Sequence, residues 1–216
     1  MMEEVNTNTI NSVENKIIIT IIGKRYSGKT TLLNSLIFPE IVNNNNYIST
    51  FGYDIRFLPI NKNTLIKFYD LGEIELQPNE KVIQSMSWQS QYVIYLIDPK
   101  IKESMSYLGI FEEVFKDNKK IIVFNKIDKI QDINIFNHDK SVQDFIKKYD
   151  IKNLFYVNSF DANSINNFKN ALFNLIQEDW NNKVFNNINN KELNNNLVLY
   201  HTPVINFSKK LNYKEL

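Results

Sequence analysis

Short apolar runs alternate with amphipathic segments along most of this 216-residue chain. Because buried parallel strands are apolar throughout, the runs predict six strands, at residues 16–22, 53–60, 64–70, 92–97, 120–124 and 154–157. Apolar positions with a helical period between the runs predict five helices, at residues 30–38, 79–90, 104–115, 141–148 and 164–180. Only Asn61, Lys62 and Asn63 separate the second run from the third, so these two strands are expected to form a hairpin.

This alternation predicts an α/β fold, with a six-stranded, mostly parallel sheet and helices on both faces. A chain of this length is expected to hold one such domain, at residues 16–180. A flexible N-terminal segment is expected at residues 1–15 and an Asn-rich C-terminal extension at residues 181–216. Folds of this kind bind ligands at the carboxyl ends of their strands, so the residues that follow each strand are the first candidates for chemistry.

The segment between the first strand and the first helix reads Gly-Lys-Arg-Tyr-Ser-Gly-Lys-Thr and fits the phosphate-binding pattern G-x-x-x-x-G-K-[ST]. Its two glycines let backbone amides wrap phosphates, and the new helix adds its positive dipole end. Lys29 is expected to pair with the β- and γ-phosphates, and the Thr30 hydroxyl to coordinate Mg²⁺. The pattern predicts a P-loop NTPase fold with these phosphate-binding residues: Gly23, Arg25, Tyr26, Ser27, Gly28, Lys29, Thr30 and Thr31.

The fifth predicted strand runs into Asn125, Lys126 and Asp128, which form the pattern N-K-x-D. One carboxylate can accept both donors on the edge of guanine, at N1 and the 2-amino group, so Asp128 predicts guanine rather than adenine. Asn125 would either contact the base near its carbonyl and N7 or brace the P-loop, and the stem of Lys126 would lie along the ring. Ser159 and Phe160 follow the last strand, where backbone and hydroxyl groups can contact the guanine carbonyl.

Asp70 ends the third predicted strand and is placed to hold Mg²⁺ through water, while the amide of Gly72 could contact the γ-phosphate. Thr50 lies between the first helix and the hairpin and is a candidate switch residue, with its hydroxyl on Mg²⁺ and its amide on the γ-phosphate. We therefore expect Thr30, Thr50 and Asp70 to be the metal ligands. Lys29, Thr50 and Gly72 are expected to act in catalysis.

Together these motifs resemble the small GTPases of the Ras superfamily across residues 16–180. Residues 49–55, Ser-Thr-Phe-Gly-Tyr-Asp-Ile, are similar to the Rab-type switch I pattern S/T-T-I-G-V-D-F, and a basic residue at Arg25 is similar to some Rag-type GTPases. The resemblance implies a small G-protein fold that binds GTP or GDP with Mg²⁺. It also implies a molecular switch that acts through an effector or regulatory protein.

Two departures from the family pattern bear on hydrolysis. The family usually has D-x-x-G-Q after the third strand, but here the turn at Asp70 is one residue shorter, carries Glu73 and offers no glutamine to orient the attacking water. Arg25 and Tyr26 stand where the family tends to use small residues, and bulk there can disturb water placement. We therefore expect slow or partner-dependent GTP hydrolysis.

Two other functions remain open at this point. The first is a non-hydrolysing pseudo-GTPase scaffold subunit of a protein complex, motivated by the shortened turn and the missing glutamine. The second is a P-loop ATPase or nucleotide kinase, against which the N-K-x-D motif and the lack of an Arg-rich lid segment argue. A measured preference for guanine nucleotides would exclude the ATPase or nucleotide kinase. Phosphate release over multiple turnovers would exclude the non-hydrolysing scaffold.

Composition restricts the partners further. The net charge is +1 and basic residues are interspersed with acidic ones, so nucleic acid is not an expected partner. Because cysteine is absent we expect no prenyl or palmitoyl anchor, and because the second residue is Met we expect no N-myristoyl group. No apolar run approaches the roughly 20 residues of a transmembrane helix. A cytoplasmic protein without a lipid anchor or transmembrane segment is therefore expected.

Several remaining features have plain structural explanations. Clusters of asparagine predict loops and tails, above all beyond residue 180, and we attribute them to compositional bias rather than to a prion-like segment. The apolar run at residues 197–207 is expected to pack back onto the domain, or else to add an edge strand or dock a partner. Trp88 and Trp180 are expected in core or half-buried packing, and His138 and His201 away from the site.

Overall fold

The computed structural model describes residues 15–39, 50, 52–72, 81–101, 103–130 and 140–192. The strands among them are β1 (Asn15–Ile22), β2 (Tyr53–Asn61), β3 (Thr64–Leu71), β4 (Tyr92–Ile97), β5 (Lys119–Asn125) and β6 (Asn153–Val157). The helices are α1 (Lys29–Ile37), α2 (Lys81–Gln89), α3 (Glu103–Gly109), α4 (Lys140–Lys148) and α5 (Ala162–Glu192). A short 3₁₀ helix, Ile127–Lys129, follows β5.

The six strands form one sheet with the order β2-β3-β1-β4-β5-β6. β2 and β3 form the predicted antiparallel hairpin, and the other neighbouring pairs are parallel. The predicted α/β class and the mostly parallel six-stranded sheet are therefore confirmed. Parallel pairing places the carboxyl ends of β1, β3, β4, β5 and β6 at the same edge of the sheet, where the candidate site residues follow.

Burial explains why the apolar runs form the central strands. Every side chain of β4 is buried, and so are most side chains of β1, β3 and β5. Full burial of one Leu, Ile or Phe side chain contributes about 1.5–3 kcal/mol, more than the whole range of strand propensities. One apolar cluster joins strand residues to α2, α3, α4 and the turns after α3, with Ile83, Met86, Leu108, Phe111, Phe115, Val142 and Phe145 from those segments.

The third helix is shorter than predicted, because α3 ends at Gly109 whereas the periodicity extends to residue 115. A Cβ atom at Gly109 would lie 2.7 Å from the Tyr149 hydroxyl oxygen, so the glycine permits a close approach at a point where it also weakens the helix. The chain then continues in turns, in which the Phe115 amide donates to the Phe111 carbonyl at 3.1 Å. Helix prediction for residues 110–115 was therefore wrong.

The last helix is longer than predicted and runs to Glu192 rather than to residue 180. It includes the asparagine clusters at residues 181–182, 186–187 and 189–190, so the loop prediction is wrong there. No glycine or proline occurs between Ala162 and Pro203, and Asn weakens a helix by only about 0.7 kcal/mol relative to Ala. The described residues divide into two compact units along the chain, with the division between Asn166 and Asn167.

The prediction for Trp88 was also wrong. Its side chain is 83% exposed at the end of α2, whose buried face carries Ile83, Met86 and Ser87. These three positions have helical spacing i, i+3 and i+4, and Trp88 lies outside that stripe. Trp180 is 38% exposed, in agreement with a half-buried position.

Several predictions concern residues outside those described. They include the N-terminal segment before Asn15, the Asn-rich loop at residues 43–46, Glu73, His138, His201 and the apolar run at residues 197–207. The predicted boundaries of the domain and of its two extensions stay predictions. Within the described ranges, helices are too short or too polar to span a bilayer.

Candidate functional site

The P-loop connects β1 to α1, and its two glycines occupy positions where a side chain would clash. A Cβ atom on Gly23 would lie 2.5 Å from the Leu96 carbonyl oxygen. Gly28 is the N-cap of α1 with φ of 94°, and its Cβ would lie 2.5 Å from the Asn125 amide nitrogen. The left-handed backbone and the missing side chains bring the loop close to β4 and β5 and leave the first amides of α1 available to an anion.

Lys29 is the first residue of α1, and its side chain is buried. The ammonium group donates to the Gly23 carbonyl at 2.7 Å and approaches the Lys24 carbonyl at 3.4 Å. The charge of this ammonium group also acts on the Asp70 carboxyl group. A phosphate bound at the mouth of this loop would pair with the same ammonium group.

Thr30, Thr50 and Asp70 come from three separate segments and meet at one hydroxyl group. The Thr30 hydroxyl donates to Asp70 Oδ2 at 2.6 Å and lies 3.0 Å from the Thr50 hydroxyl. A threonine hydroxyl has one hydrogen, so with Thr30 donating to Asp70 the Thr50 hydroxyl is the donor to Thr30. The structure thus brings together the three oxygen-bearing side chains that the sequence singled out for Mg²⁺.

Asp70 is fully buried at the end of β3, and burial raises the pKa of its carboxyl group. The Thr30 hydrogen bond and the charges of Lys29 and Arg56 act in the opposite direction and only partly offset burial. Its second oxygen, Oδ1, is buried and has no hydrogen-bond partner among the described residues. A buried carboxylate oxygen in this condition needs a donor or a cation.

The donor set fits Mg²⁺. Two hydroxyl oxygens and a carboxylate are hard ligands of the kind Mg²⁺ prefers, and Asp70 Oδ1 is free of other bonds among the described residues. Within those residues, three His, Cys, Asp or Glu side chains do not cluster anywhere as a metal site. An ion held here would therefore depend on phosphate oxygens and water for the rest of its shell, as Mg²⁺ in nucleotide sites commonly does.

Gly72 does not present its amide freely. The Gly72 amide donates to the Gly52 carbonyl at 2.8 Å, and a Cβ atom on Gly72 would clash with the Thr50 carbonyl oxygen. The end of β3 and the segment that carries Thr50 are thus in direct backbone contact. For the Gly72 amide to reach a γ-phosphate, as the sequence predicts, this hydrogen bond has to open.

On the opposite side of the loop, Asn125 connects three segments. Its side-chain amide donates to the Ser27 carbonyl at 2.9 Å, and its side-chain carbonyl accepts from the Ser159 hydroxyl at 2.7 Å. The Ser159 backbone carbonyl in turn accepts from the Ser35 hydroxyl of α1 at 2.7 Å. The sequence left two roles open for Asn125. The contacts in the structure correspond to the second role, in which Asn125 braces the P-loop.

Lys126 spans the gap between β5 and the P-loop. Its ammonium group donates to the Tyr26 carbonyl and pairs with the buried carboxylate of Asp98 at 2.9 Å. Lys126 has φ of 60° and is the N-cap of the 3₁₀ helix that carries Asp128, whose side chain is exposed. Lys126 and Asp128 therefore lie in the same short 3₁₀ turn, directly after β5.

The remaining predicted residues lie around this edge. Arg25 and Tyr26 are exposed, with the Arg25 guanidinium carbon 4.9 Å from the centre of the Tyr26 ring, so neither side chain is packed inside the loop. Thr31 follows in α1, and its carbonyl oxygen lies 2.9 Å from the Ser35 hydroxyl, whose single hydrogen it shares with the Ser159 carbonyl. Phe160 is 61% exposed.

Sequence reasoning missed two residues that matter here, Asp98 and Arg56. Asp98 directly follows β4, so the rule that strand ends carry the chemistry could have identified it. Arg56 lies on β2, and its guanidinium group reaches Asp54 and Asp70. Counting back through the short hairpin turn would have placed Asp54 opposite Asp70 and indicated the need for a nearby cation.

Comparison with known proteins gives one match. The family model of the ADP-ribosylation factor family matches residues 3–178, which include every site residue described above. No curated protein matches the chain. The match agrees with the predicted resemblance to small GTPases, and it is to this family rather than to the Rab-like group. The Rab-like reading of residues 49–55 is therefore not confirmed.

Proposed function

Because this chain belongs to the ADP-ribosylation factor family of small GTPases, we propose that it is a molecular switch that binds GTP or GDP with Mg²⁺. It hydrolyses GTP slowly or only with a partner, and its output is a nucleotide-dependent interaction with an effector or regulatory protein. Family membership supports the general class. The nucleotide, the metal and the site residues are the parts that this proposal adds.

The observation that carries the proposal is the meeting of Thr30, Thr50 and Asp70 at one hydroxyl group. Thr30 belongs to the helix that starts at the P-loop, and Asp70 to the strand beside β1. Thr50 belongs to neither element, so an ion bound to all three would draw its segment toward the phosphates. Such an ion would couple the γ-phosphate to the position of Thr50, which is the physical basis of a switch.

The other site residues would bind the phosphates and the base. Lys29 and the amides after Gly28 would neutralise the phosphates, and Asp128 would accept from N1 and the 2-amino group of guanine. Asn125 would hold the P-loop and the Ser159 segment at the distance a base requires. Mg²⁺, when bound, would neutralise charge between the two terminal phosphates.

Slow hydrolysis follows from what surrounds the γ-phosphate position. The turn after Asp70 offers no glutamine, and the Gly72 amide is engaged by the Gly52 carbonyl. The reaction needs a positioned water and donors aimed at the developing charge, and the described part of the turn after Asp70 supplies neither while the Gly72 amide is bonded. Binding of a partner that opens the bond between Gly72 and Gly52 would release one such donor.

The alternative is a non-hydrolysing scaffold subunit that keeps the fold, with or without a permanently bound nucleotide. The Gly72 to Gly52 hydrogen bond favours it, because a site locked in this way would bind without turning over. The two functions differ in one measurable property, the release of phosphate over many turnovers. Partner-free protein and protein with candidate activators should both be tested.

The test starts with the purified full chain. We expect guanine nucleotide to co-purify or to bind in preference to adenine nucleotide, as measured by chromatography of the denatured protein and by titration with fluorescent GDP and ADP. Stoichiometric adenine nucleotide would contradict the proposal. Phosphate release above one equivalent with Mg²⁺ then separates a switch from a scaffold.

Asp128→Asn provides a sharper test of the base. Exchanging the carboxylate for an amide replaces an acceptor with a donor, so GDP affinity should fall by at least about tenfold while xanthosine diphosphate gains. Asp161→Asn, at another exposed aspartate near the site, is the matched control and should leave both affinities within about twofold. Unchanged GDP affinity in Asp128→Asn would exclude this residue as the guanine reader.

A further inference from the structure

The β2–β3 hairpin brings two acidic residues together. Its register pairs Asp54 directly with Asp70, one of the Mg²⁺ ligands proposed above. Like charges directly opposite each other on neighbouring strands are destabilising. This pair therefore needs a cation in the folded protein.

Arg56 lies two residues from Asp54 on the same strand and contacts three groups. Its guanidinium group donates to Asp54 Oδ2 at 2.9 Å and to Asn34 Oδ1 of α1 at 2.6 Å. Its third nitrogen, Nε, lies 3.9 Å from Asp70 Oδ2. Arg56 thus joins β2 to α1 and places its charge between the two carboxylates.

Two polar atoms at this point are buried without a hydrogen-bond partner among the described residues: the donor Arg56 Nε and the acceptor Asp70 Oδ1. They are chemically complementary and belong to side chains that already lie 3.9 Å apart at their closest charged atoms. A small rotation of either side chain would pair them. In the present geometry the Asp70 carboxylate instead directs Oδ2 to Thr30 and leaves Oδ1 open.

We propose that Arg56 is a built-in counter-cation that shares the Asp70 carboxylate with Mg²⁺. This inference rests on the proposed function. Arg56 stabilises the folded protein when Mg²⁺ is absent, and it competes with Mg²⁺ for the Asp70 carboxylate when the ion is present. Arg56 is a positioning residue, since it acts on the site through Asp70. Its effect is to make the fold and the retention of nucleotide less dependent on Mg²⁺.

This arrangement predicts opposite effects for the two members of the Arg56–Asp54 pair. Without Arg56, the carboxylates lose their compensating charge, so the ion-free protein is weakened and Mg²⁺ binds more tightly. Without the Asp54 charge, Arg56 is released toward Asp70, so Mg²⁺ binds more weakly. A residue that merely tied β2 to α1 would produce neither change in Mg²⁺ dependence.

The experiment follows the melting temperature of the full chain with GDP as free Mg²⁺ is varied from excess chelator to millimolar concentration. Arg56→Met should melt several degrees below the unchanged protein in chelator and recover most of that difference in Mg²⁺. Its midpoint for Mg²⁺ should fall on the order of tenfold. The dissociation rate of fluorescent GDP in chelator should rise by a comparable factor.

Lys120→Met is the matched control. Lys120 is similarly buried, with 18% of its side chain exposed against 23% for Arg56, and it pairs with Glu112 at 2.8 Å away from the site. Its loss should lower the melting temperature equally at all Mg²⁺ concentrations. If Arg56→Met behaves in the same way, the inference is overturned and Arg56 is a structural tether only.

Asp54→Asn keeps the test decisive if Arg56→Met does not fold. It should move the Mg²⁺ midpoint in the opposite direction, to higher concentration, and an unchanged midpoint would overturn the inference. In the double variant the two shifts should largely cancel. If GDP and Mg²⁺ together do not change the melting temperature of the unchanged protein, the proposed function is wrong and this inference is wrong with it. If GDP and Mg²⁺ do stabilise the unchanged protein but the variants leave the Mg²⁺ midpoint unchanged, only the inference is overturned.

Discussion

The phosphate side and the base side of this site differ in how completely their polar groups are bonded. On the base side, Asn125, Lys126, Asp98 and Ser159 satisfy one another and the P-loop backbone. On the phosphate side, the buried atoms Ser27 Oγ, Asp70 Oδ1 and Arg56 Nε have no hydrogen-bond partner among the described residues. The base side is thus built as scaffold, and the phosphate side is built for a ligand.

The difference has a physical cause. An uncharged base needs a slot of fixed width, and a network of satisfied hydrogen bonds provides rigidity at little energetic cost. A phosphate chain with Mg²⁺ needs unpaired donors and charges held in position, which cost stability until the ligand arrives. We therefore expect mutations on the phosphate side to change ligand binding most, and mutations on the base side to change folding stability even without ligand.

The largest effect is expected from Lys29→Met. Removing the buried ammonium group leaves the β-phosphate of GDP without its main counter-charge, so GDP affinity should fall on the order of a thousandfold. Fluorescent GDP titration measures this. Lys24→Met is the control, because Lys24 belongs to the same loop but points to Glu103 at 3.6 Å, and it should change affinity by less than about threefold. Equal losses in both variants would mean that net loop charge, rather than the position of Lys29, matters.

Asn125→Ala should give the next largest effect, and mainly on stability. The substitution leaves the buried Ser27 carbonyl and Ser159 hydroxyl without partners, at a cost of about 2–3 kcal/mol or roughly 5–10 °C in melting temperature. The loss should be the same with and without GDP if Asn125 acts as scaffold. Asn153→Ala, which removes a single weak amide contact of 3.4 Å to Lys120, should lower the melting temperature by less than about 2 °C. A loss confined to the GDP complex would instead assign Asn125 to direct contact with the base.

The parts of the fold that could be predicted from sequence are those that depend on local pattern. The central strands β1, β3, β4 and β5 are mostly buried, so each one is a near-continuous apolar run, and β4 has the predicted bounds of residues 92–97. The P-loop could be identified because Gly23 and Gly28 have to be glycine for steric reasons that leave a fixed spacing. The grouping of Thr30, Thr50 and Asp70 followed from three local positions: the start of the helix after the P-loop, the segment before the hairpin and the end of the third strand.

The parts that could not be predicted depend on tertiary contacts. The helix α3 ends at Gly109, where Tyr149 approaches from a distant part of the sequence. The exposure of Trp88 depends on which face of α2 packs against the sheet. The hydrophobic pattern of α2 favours no face strongly enough to predict which of its side chains are buried. The role of Arg56 required the β2–β3 register, and that of Asp98 required its pairing with Lys126.

Asp70→Asn is expected to have the smallest effect on stability and the most informative sign. Burial raises the pKa of Asp70, so the folded protein without ligand holds that proton more tightly than the unfolded chain does. Stability therefore falls as pH rises from the ordinary Asp value of 3.8 through the raised pKa, and remains lower above it. The amide cannot ionise, so in chelator and without nucleotide the variant should melt about 2–4 °C above the unchanged protein at neutral pH. This advantage should shrink as pH falls toward 3.8.

With GDP and Mg²⁺ the order of the two melting temperatures should reverse, because the Asp70→Asn variant lacks the carboxylate that would bind the ion. A variant that melts lower in every condition would show that the Thr30 to Asp70 hydrogen bond stabilises the fold more than burial of the charge weakens it, and the phosphate side would then be scaffold as well.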